Sequence, residues 1–551
     1  MNSFKEFVYN VLSRHANLRM EQIEIPPDKK LGDLAYPCFN LAKEWKMPPA
    51  KIAEELQKRI KPEHPIESIQ NHGPYLNFFF NSEFVAEKTL LEPFYNKQTY
   101  PEKLMIEYSS PNTNKPLHLG HLRNIVLGST VSTVEKSLGN KVYQACLVND
   151  RGIHICKSML MYIKHGRGEP DKKPDYFVGD YYVLYNQEVE KHPELEQEAQ
   201  ELLRRWEAGD KEVVKIWSKM NNWANKGFKE TYQRLGIEFD KFYFESELYK
   251  HGKDIIQKGY EQGKLEEEDG AIIANMENEK LGKKVLLRAD GTSIYMTQDI
   301  YLAKRKFEDF DIEKSVYVVG SEQDMHFKQL FKILEILGFE FAGRCFHLSY
   351  GMVYLPEGKM KSREGTVVEA DSLIEEMKNL AAEEIRKRHT LDEQELKKRA
   401  EKIGIGALRF FLLKTDPAKD VTYDPEKSIS FEGETGPYVQ YTYARISSIL
   451  RKAQMPENAD FSCFGEEEND LVKKLAYFEE TVYETKKHYR PSILCRYLLK
   501  LCQQFNEYYH KVPVLNAEEN KMKARVFLLG RIREAISEGL GLLRIETLEE
   551  M

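Results

Sequence analysis

The spacing of apolar positions changes several times along this chain, and the changes divide it. Over residues 4–13 Phe4, Val8 and Leu12 recur at helical spacing, and a second helical pattern covers 52–60. Short strand-like runs flank these, and the run 75–80 closes a small α/β module of residues 1–98. A turn-rich join at 96–103 follows. From there to about residue 375, short apolar runs at 104–108, 141–148, 315–320 and 346–353 alternate with helical patterns. That alternation predicts a parallel, doubly wound sheet over 99–375. Between its halves, an interval at about 160–285 is mostly polar and helical, holds three of the four tryptophans, and reads as an insertion. Beyond 375 the pattern is helical to the end, with amphipathic runs at 372–403, 468–488, 493–511 and 520–543. The acidic clusters from Glu266 to Asp269 and from Glu466 to Asp470 read as solvated loops.

Composition narrows the class without naming a function. The chain has 551 residues, 41% hydrophobic and 31% charged, which suits a globular protein of several domains. Its formal charge of −7 excludes a simple polycation, so any nucleic acid would be met by local basic faces. The seven cysteines, 38, 146, 156, 345, 463, 495 and 502, form no C-x-x-C pair, which points to a reducing cytosol and no structural metal. His154 and Cys156 lack partners at ligand spacing and read as core. No apolar run is long enough for a bilayer, so no membrane role is expected.

The candidate chemistry sits where predicted strands end. After the first strand come Glu107, Ser109, Ser110 and Asn112; then Pro116 opens a helical pattern bearing His118, Gly120 and His121. A helix start offers free N–H groups to phosphate, two histidines three apart share a face, and glycine lets a ligand approach the backbone. The second strand runs into Asn149 and Asp150, the third into Gln323, Asp324 and His326, and a further element from Ser293 carries Tyr295 and Asp299. Together these ends describe a polar cleft. Far downstream, Lys359-Met360-Lys361-Ser362-Arg363 forms a cationic, glycine-flanked loop suited to charge on a departing pyrophosphate.

The two landmarks, in this order, resemble the HIGH and KMSKS signatures of class I aminoacyl-tRNA synthetases. The text from Ser109 to Asn124 is similar to the arginyl-tRNA synthetase form, as are Leu31 to Tyr36, Glu432 to Arg445, and the final Leu542 to Ile545. The resemblance implies a Rossmann-type catalytic domain over 99–375, a linking region over 376–430 and a helical-bundle anticodon-binding domain over 431–551. It implies that L-arginine, ATP with Mg2+ and tRNA(Arg) are the substrates, with a cytoplasmic, monomeric enzyme expected. On the matching motifs, Tyr295 and Asp299 would hold the guanidinium, and Glu107, Ser110, Asn112 and Gln323 the other polar groups of arginine. His118, Gly120, His121, His326, Met360 and Ser362 would serve ATP. Lys115, Lys359 and Lys361 are all candidates for the transition-state cation, because Lys361 and Ser362 stand in the reverse of the family's order. Tyr438, Gln440, Tyr441 and Arg445, on a helix begun by Gly436-Pro437, would meet tRNA. The rival readings are a class I synthetase for lysine or glutamine, a small nucleotidyltransferase, and a tRNA-binding paralogue without catalysis. Tyr295 and Asp299, the long helical C-terminal part, and the intact histidines respectively argue against them.

Overall fold

The structure, a computed structural model, describes residues 2–166, 168–292, 294–354 and 368–551. Its centre is a five-stranded sheet, entirely parallel, in the order Cys345–Tyr350, Lys314–Gly320, Lys103–Glu107, Lys141–Val148, Lys241–Phe244. The first of these five strands in sequence, Lys103–Glu107, is therefore central, and strand order reverses between it and Lys314–Gly320. Period-2 alternation assigns each face. Leu104, Ile106, Val316 and Val318 join one hydrophobic core, while Met105 and Tyr317 join the other. Burial on both faces explains why these strands read as continuous apolar runs.

The helix Leu119–Ser137 follows the central strand and is buried around most of its girth. A Cβ at Gly128 would lie 2.5 Å from the Tyr108 side chain, so helix and strand end meet at a distance only glycine permits. The predicted strands are present, with 346–353 split into Cys345–Tyr350 and Val353–Tyr354. Pro116 does not open the helix; the helix begins at Leu119, with His118 as its N-cap.

The interval 160–285 corrects the expectation of a helical insertion. Its helices Pro174–Glu188, Leu195–Glu207 and Lys211–Arg234 are followed by Lys241–Phe244, the edge strand of the main sheet. A three-stranded antiparallel sheet, Glu266–Glu268, Ala271–Met276 and Gly282–Leu287, comes next. The acids Glu266–Glu268 are thus an exposed edge strand, not a loop. Likewise Glu466 to Asp470 begins the helix Glu466–Ala476, where acids in the first turn suit the helix dipole. Within it Glu468 is buried against Arg525 at 2.7 Å.

The N-terminal module packs helices Asn2–Leu12 and Pro49–Arg59 on a sheet ordered Leu34–Pro37, Tyr75–Phe80, Ile66–His72. It docks on the C-terminal helices through Asp33–Lys473 and Lys5–Glu480, both at 2.8 Å. The run 372–403 is two helices, Ala370–Arg386 and Glu393–Lys414, separated because Asp392 caps the second through Gln394 and Glu395 N–H. The run 468–488 likewise breaks at Tyr477. No described helix is long and apolar enough to cross a membrane.

Candidate active site

The reversal of strand order leaves a crevice at the carboxyl ends of Lys103–Glu107 and Lys314–Gly320, where open α/β sheets bind ligands. Past the first strand the backbone turns sharply: Ser109 and Ser110 take φ of 78° and 46°, a conformation that costs non-glycine residues roughly 1–3 kcal/mol each. Surrounding bonds hold it there. Asn124 accepts from Ser109 N–H, the Ser109 and Tyr232 hydroxyls meet at 2.6 Å, and Asn149 Nδ2 donates to Ser110 O at 3.3 Å. Asn112 and Asn149 pair as an isolated bridge, so the first and second strand ends form one polar floor.

The two histidines head the central helix as an interlocked pair. His118 Nδ1 accepts from Gly120 N–H and His121 Nδ1 from His118 N–H, both at 3.1 Å, and the ring centroids lie 3.9 Å apart. Burial, helped by Lys115, pushes the His118 pKa down to about 3. Burial, then His118, then Lys115 hold His121 well below its ordinary range. Both rings are thus neutral at pH 7 and can offer hydrogen bonds, not charge, to a phosphate. Lys115, itself lowered by burial, is the nearby cation.

Lys359, Met360, Lys361 and Ser362 lie outside the described residues. The chain on either side of their segment is tied to this site. Val368 O accepts from Leu119 N–H at 3.0 Å, and Glu369 bridges His118. On the other side Val353–Tyr354 pairs with Val421–Thr422, and Arg123 of the histidine helix donates to the carbonyls of Met352, Pro417 and Lys419.

Across the crevice, Tyr295 begins the helix Tyr295–Phe310 and is 71% exposed. One turn on, Asp299 meets His326 Nε2 at 2.7 Å, and no lysine or arginine pairs with it among the described residues. His326, expected beside the nucleotide, is bonded to the acid expected to receive guanidinium. Gln323 is exposed at the head of Asp324–Leu337. Glu107 departs from its expected role: its side chain is 5% exposed and ion-paired at 2.7 Å to fully buried Lys306, which lies over the Tyr317 ring. The pair sets its carboxylate opposite a cation on the same helix as Asp299.

Glu245 escaped the sequence reading. It follows the edge strand Lys241–Phe244, hidden in the interval read as helical; recognising that strand would have exposed Glu245 by the strand-end rule. Burial raises its pKa to about 7, Asp150 and Asp299 add to the rise, and Arg151 opposes it. Among the described residues its ion-pair partner is Arg151, at 3.9 Å, too long for a hydrogen bond.

On the C-terminal helix Gly436–Leu450, Tyr438 and Arg445 converge on Asn506, and Arg445 lies 4.9 Å from the Tyr441 ring centroid. Gln440 points elsewhere: it is fully buried and donates to Glu546 O at 2.7 Å, fastening the chain's last residues. His154 meets the Tyr182 hydroxyl at 3.1 Å and Cys156 is core. Among the described residues no group of His, Cys, Asp and Glu could hold a metal ion.

Residues 85–424 match the catalytic domain of class I tRNA synthetases (R), 439–551 the DALR anticodon binding domain, and 2–80 the arginyl tRNA synthetase N-terminal domain. An arginine–tRNA ligase of Treponema denticola is 44% identical over 557 residues, covering 96% of this chain and 94% of its own. One from Bacteroides thetaiotaomicron is 42% identical over 579 residues, covering 97% and 96%. The solved arginyl-tRNA synthetase of Thermus thermophilus superposes with a TM-score of 0.88 at 27% identity, covering 100% of this chain and 99% of that one.

Proposed function

We propose how the cleft divides its work from one premise: the chain belongs to the class I arginyl-tRNA synthetase family, and it charges tRNA with arginine at the expense of ATP. Asp299 and Glu245, with the Tyr295 hydroxyl, receive the substrate guanidinium, a planar fork that calls for paired acceptors. Ser110, Asn112 and Gln323 serve the remaining polar groups of arginine. His118, Gly120 and His121 take ATP, and Mg2+ enters with ATP as part of that substrate. The arginine carboxylate attacks the α-phosphorus, pyrophosphate leaves, and a ribose hydroxyl of the terminal adenosine of tRNA displaces AMP from the adenylate. No protein nucleophile is needed; positioning and electrostatics supply the rate. Lys115, Lys359 and Lys361 share the neutralisation of pyrophosphate. The observation that carries the arginine assignment is the pair of acids: Asp299, which no lysine or arginine meets among the described residues, and buried Glu245, whose ion pair with Arg151 is 3.9 Å long.

Tyr438, Tyr441 and Arg445 contact tRNA, supported by their shared face; Gln440 serves by bracing it. The N-terminal module adds a second contact. Phe39 and Tyr75, 53% and 37% exposed, pack edge to face beside a cavity of about 170 Å³ that Tyr75 and Asn77 help line. Exposed rings beside an amide suit an unstacked base. A monomer working in the cytoplasm is part of the same reading.

The test is ATP–pyrophosphate exchange against each proteinogenic amino acid, with and without bulk tRNA. Exchange with arginine, lost in Asp299→Ala, supports the assignment. Exchange at full rate in Asp299→Ala refutes the role of that acid, and silence in every well from protein that binds tRNA refutes catalysis.

A further inference from the structure

Arg151 lies just beyond the strand Lys141–Val148, and three elements close around its guanidinium. It pairs with Glu207, at the end of inserted helix Leu195–Glu207, at 2.8 Å. It stacks 4.1 Å from the Tyr249 ring centroid and 5.7 Å from that of Trp206. Its distance to Glu245 is 3.9 Å, an ion pair too long for a hydrogen bond. Gln298, in the amide orientation that satisfies its neighbours, accepts from Arg151 at 3.2 Å and donates to Glu245 at 3.1 Å. Gln298 is the residue before Asp299, so the bridge ties Glu245 to the helix that carries Asp299. The Arg151 side chain is only 13% exposed.

This guanidinium is therefore no solvent-facing cation. The nearby Asp150 is spent on the Ser246 N–H and hydroxyl, at 2.8 and 2.6 Å, and does not compete for it. The planar fork serves two acids and an amide from three elements, which a lysine ammonium on a flexible stem cannot reproduce.

We propose that Arg151 is a positioning residue of the amino-acid pocket: a resident guanidinium that, directly and through Gln298, sets the Glu245 carboxylate beside Asp299 to receive the substrate's guanidinium. It also ties the Trp206–Glu207 end of the inserted helices to that pocket, so the insertion bears on arginine recognition. The inference rests on the reading of Asp299 and Glu245 as the guanidinium seat.

The experiment is exchange kinetics, at saturating tRNA, on Arg151→Met, Arg151→Lys, Glu245→Gln, the Arg151→Met/Glu245→Gln double variant and Asp299→Asn. Arg151→Met raises the arginine KM about tenfold or more, leaves the ATP KM within about twofold, and Arg151→Lys recovers part of the loss. In the Glu245→Gln background, Arg151→Met adds less than about twofold, because the carboxylate it positions is gone. An unchanged arginine KM in Arg151→Met, an equal rise in the ATP KM, or a full additive penalty in the double variant overturns the proposal. Should Arg151→Met not fold, the Arg151→Lys kinetics with and without Glu245→Gln decide by the same non-additivity. Asp299→Asn separates the two levels. If it leaves the arginine KM unchanged, the guanidinium seat itself is misplaced. If it raises that KM while Arg151→Met does not, only the role of Arg151 falls.

Discussion

Replacing Glu107 with Gln removes the counter-charge of a lysine that has no exposed surface, and its consequences can be worked out in advance. At the 2.7 Å separation of Glu107 and Lys306, the pair's Coulomb attraction is about 6 kcal/mol at an effective dielectric of about 20. Desolvation of the two ions offsets most of that, so the intact pair contributes little net stability. Removing one partner is different, because the ammonium stays buried without its charge; the expected loss is about 3–5 kcal/mol. Removing both, as Glu107→Gln/Lys306→Met, leaves no stranded charge and recovers most of it. Lys306 lies on the helix that carries Asp299, so the single variant also disturbs the arginine pocket and raises the arginine KM. The assay pairs urea unfolding, read by tryptophan fluorescence, with exchange kinetics on both variants. If Glu107 is scaffold, the double variant regains stability and an arginine KM within about threefold of the parent. A double variant that is stable yet still binds arginine at least tenfold more weakly would refute the reasoning and return Glu107 to the substrate.

Three further outcomes follow from particular contacts. His118 and His121 are held neutral in the fold, so below about pH 6.5 the unfolded chain binds protons that the folded chain refuses. Stability then falls as pH drops from about 6.5 toward 3, by up to about 1.4 kcal/mol per pH unit for each ring; an unchanged slope in His118→Asn/His121→Asn would contradict this. Arg123→Lys keeps the charge but cannot span the carbonyls of Met352, Pro417 and Lys419, so kcat for exchange should fall about tenfold, about 1.4 kcal/mol, with little change in the arginine KM. A wild-type kcat would show that this clasp does not matter to the reaction. Tyr75→Ala should raise the tRNA KM about 5- to 150-fold, the worth of one stacked base, while leaving exchange at saturating tRNA intact; equal tRNA KM values would remove the N-terminal contact.

Much of this protein is legible in its sequence, for reasons of period and chain proximity. The central strand was visible because burial on both faces demands an unbroken apolar run, as in Leu104, Met105 and Ile106. His118, Gly120 and His121 stood out because the turn that brings them to the crevice is made of neighbouring residues. What distant segments contribute was not legible. The edge strand Lys241–Phe244 is short and lies among helices, and only its pairing with Ala145 to Val148 makes it part of the sheet. Glu245, placed by that strand, was hidden with it. Glu107 and Gln440 have the residue types of a binding site. Their commitment to Lys306 and to the Glu546 carbonyl is decided by groups 199 and 106 residues away. Local sequence determines which backbone conformations and which chemistries are on offer; it does not determine which charges remain unpaired once the chain is packed. That is settled by low-dielectric contacts between remote segments: Lys306 lies 2.7 Å from Glu107, whereas among the described residues Asp299 meets no lysine or arginine and Glu245 lies 3.9 Å from Arg151.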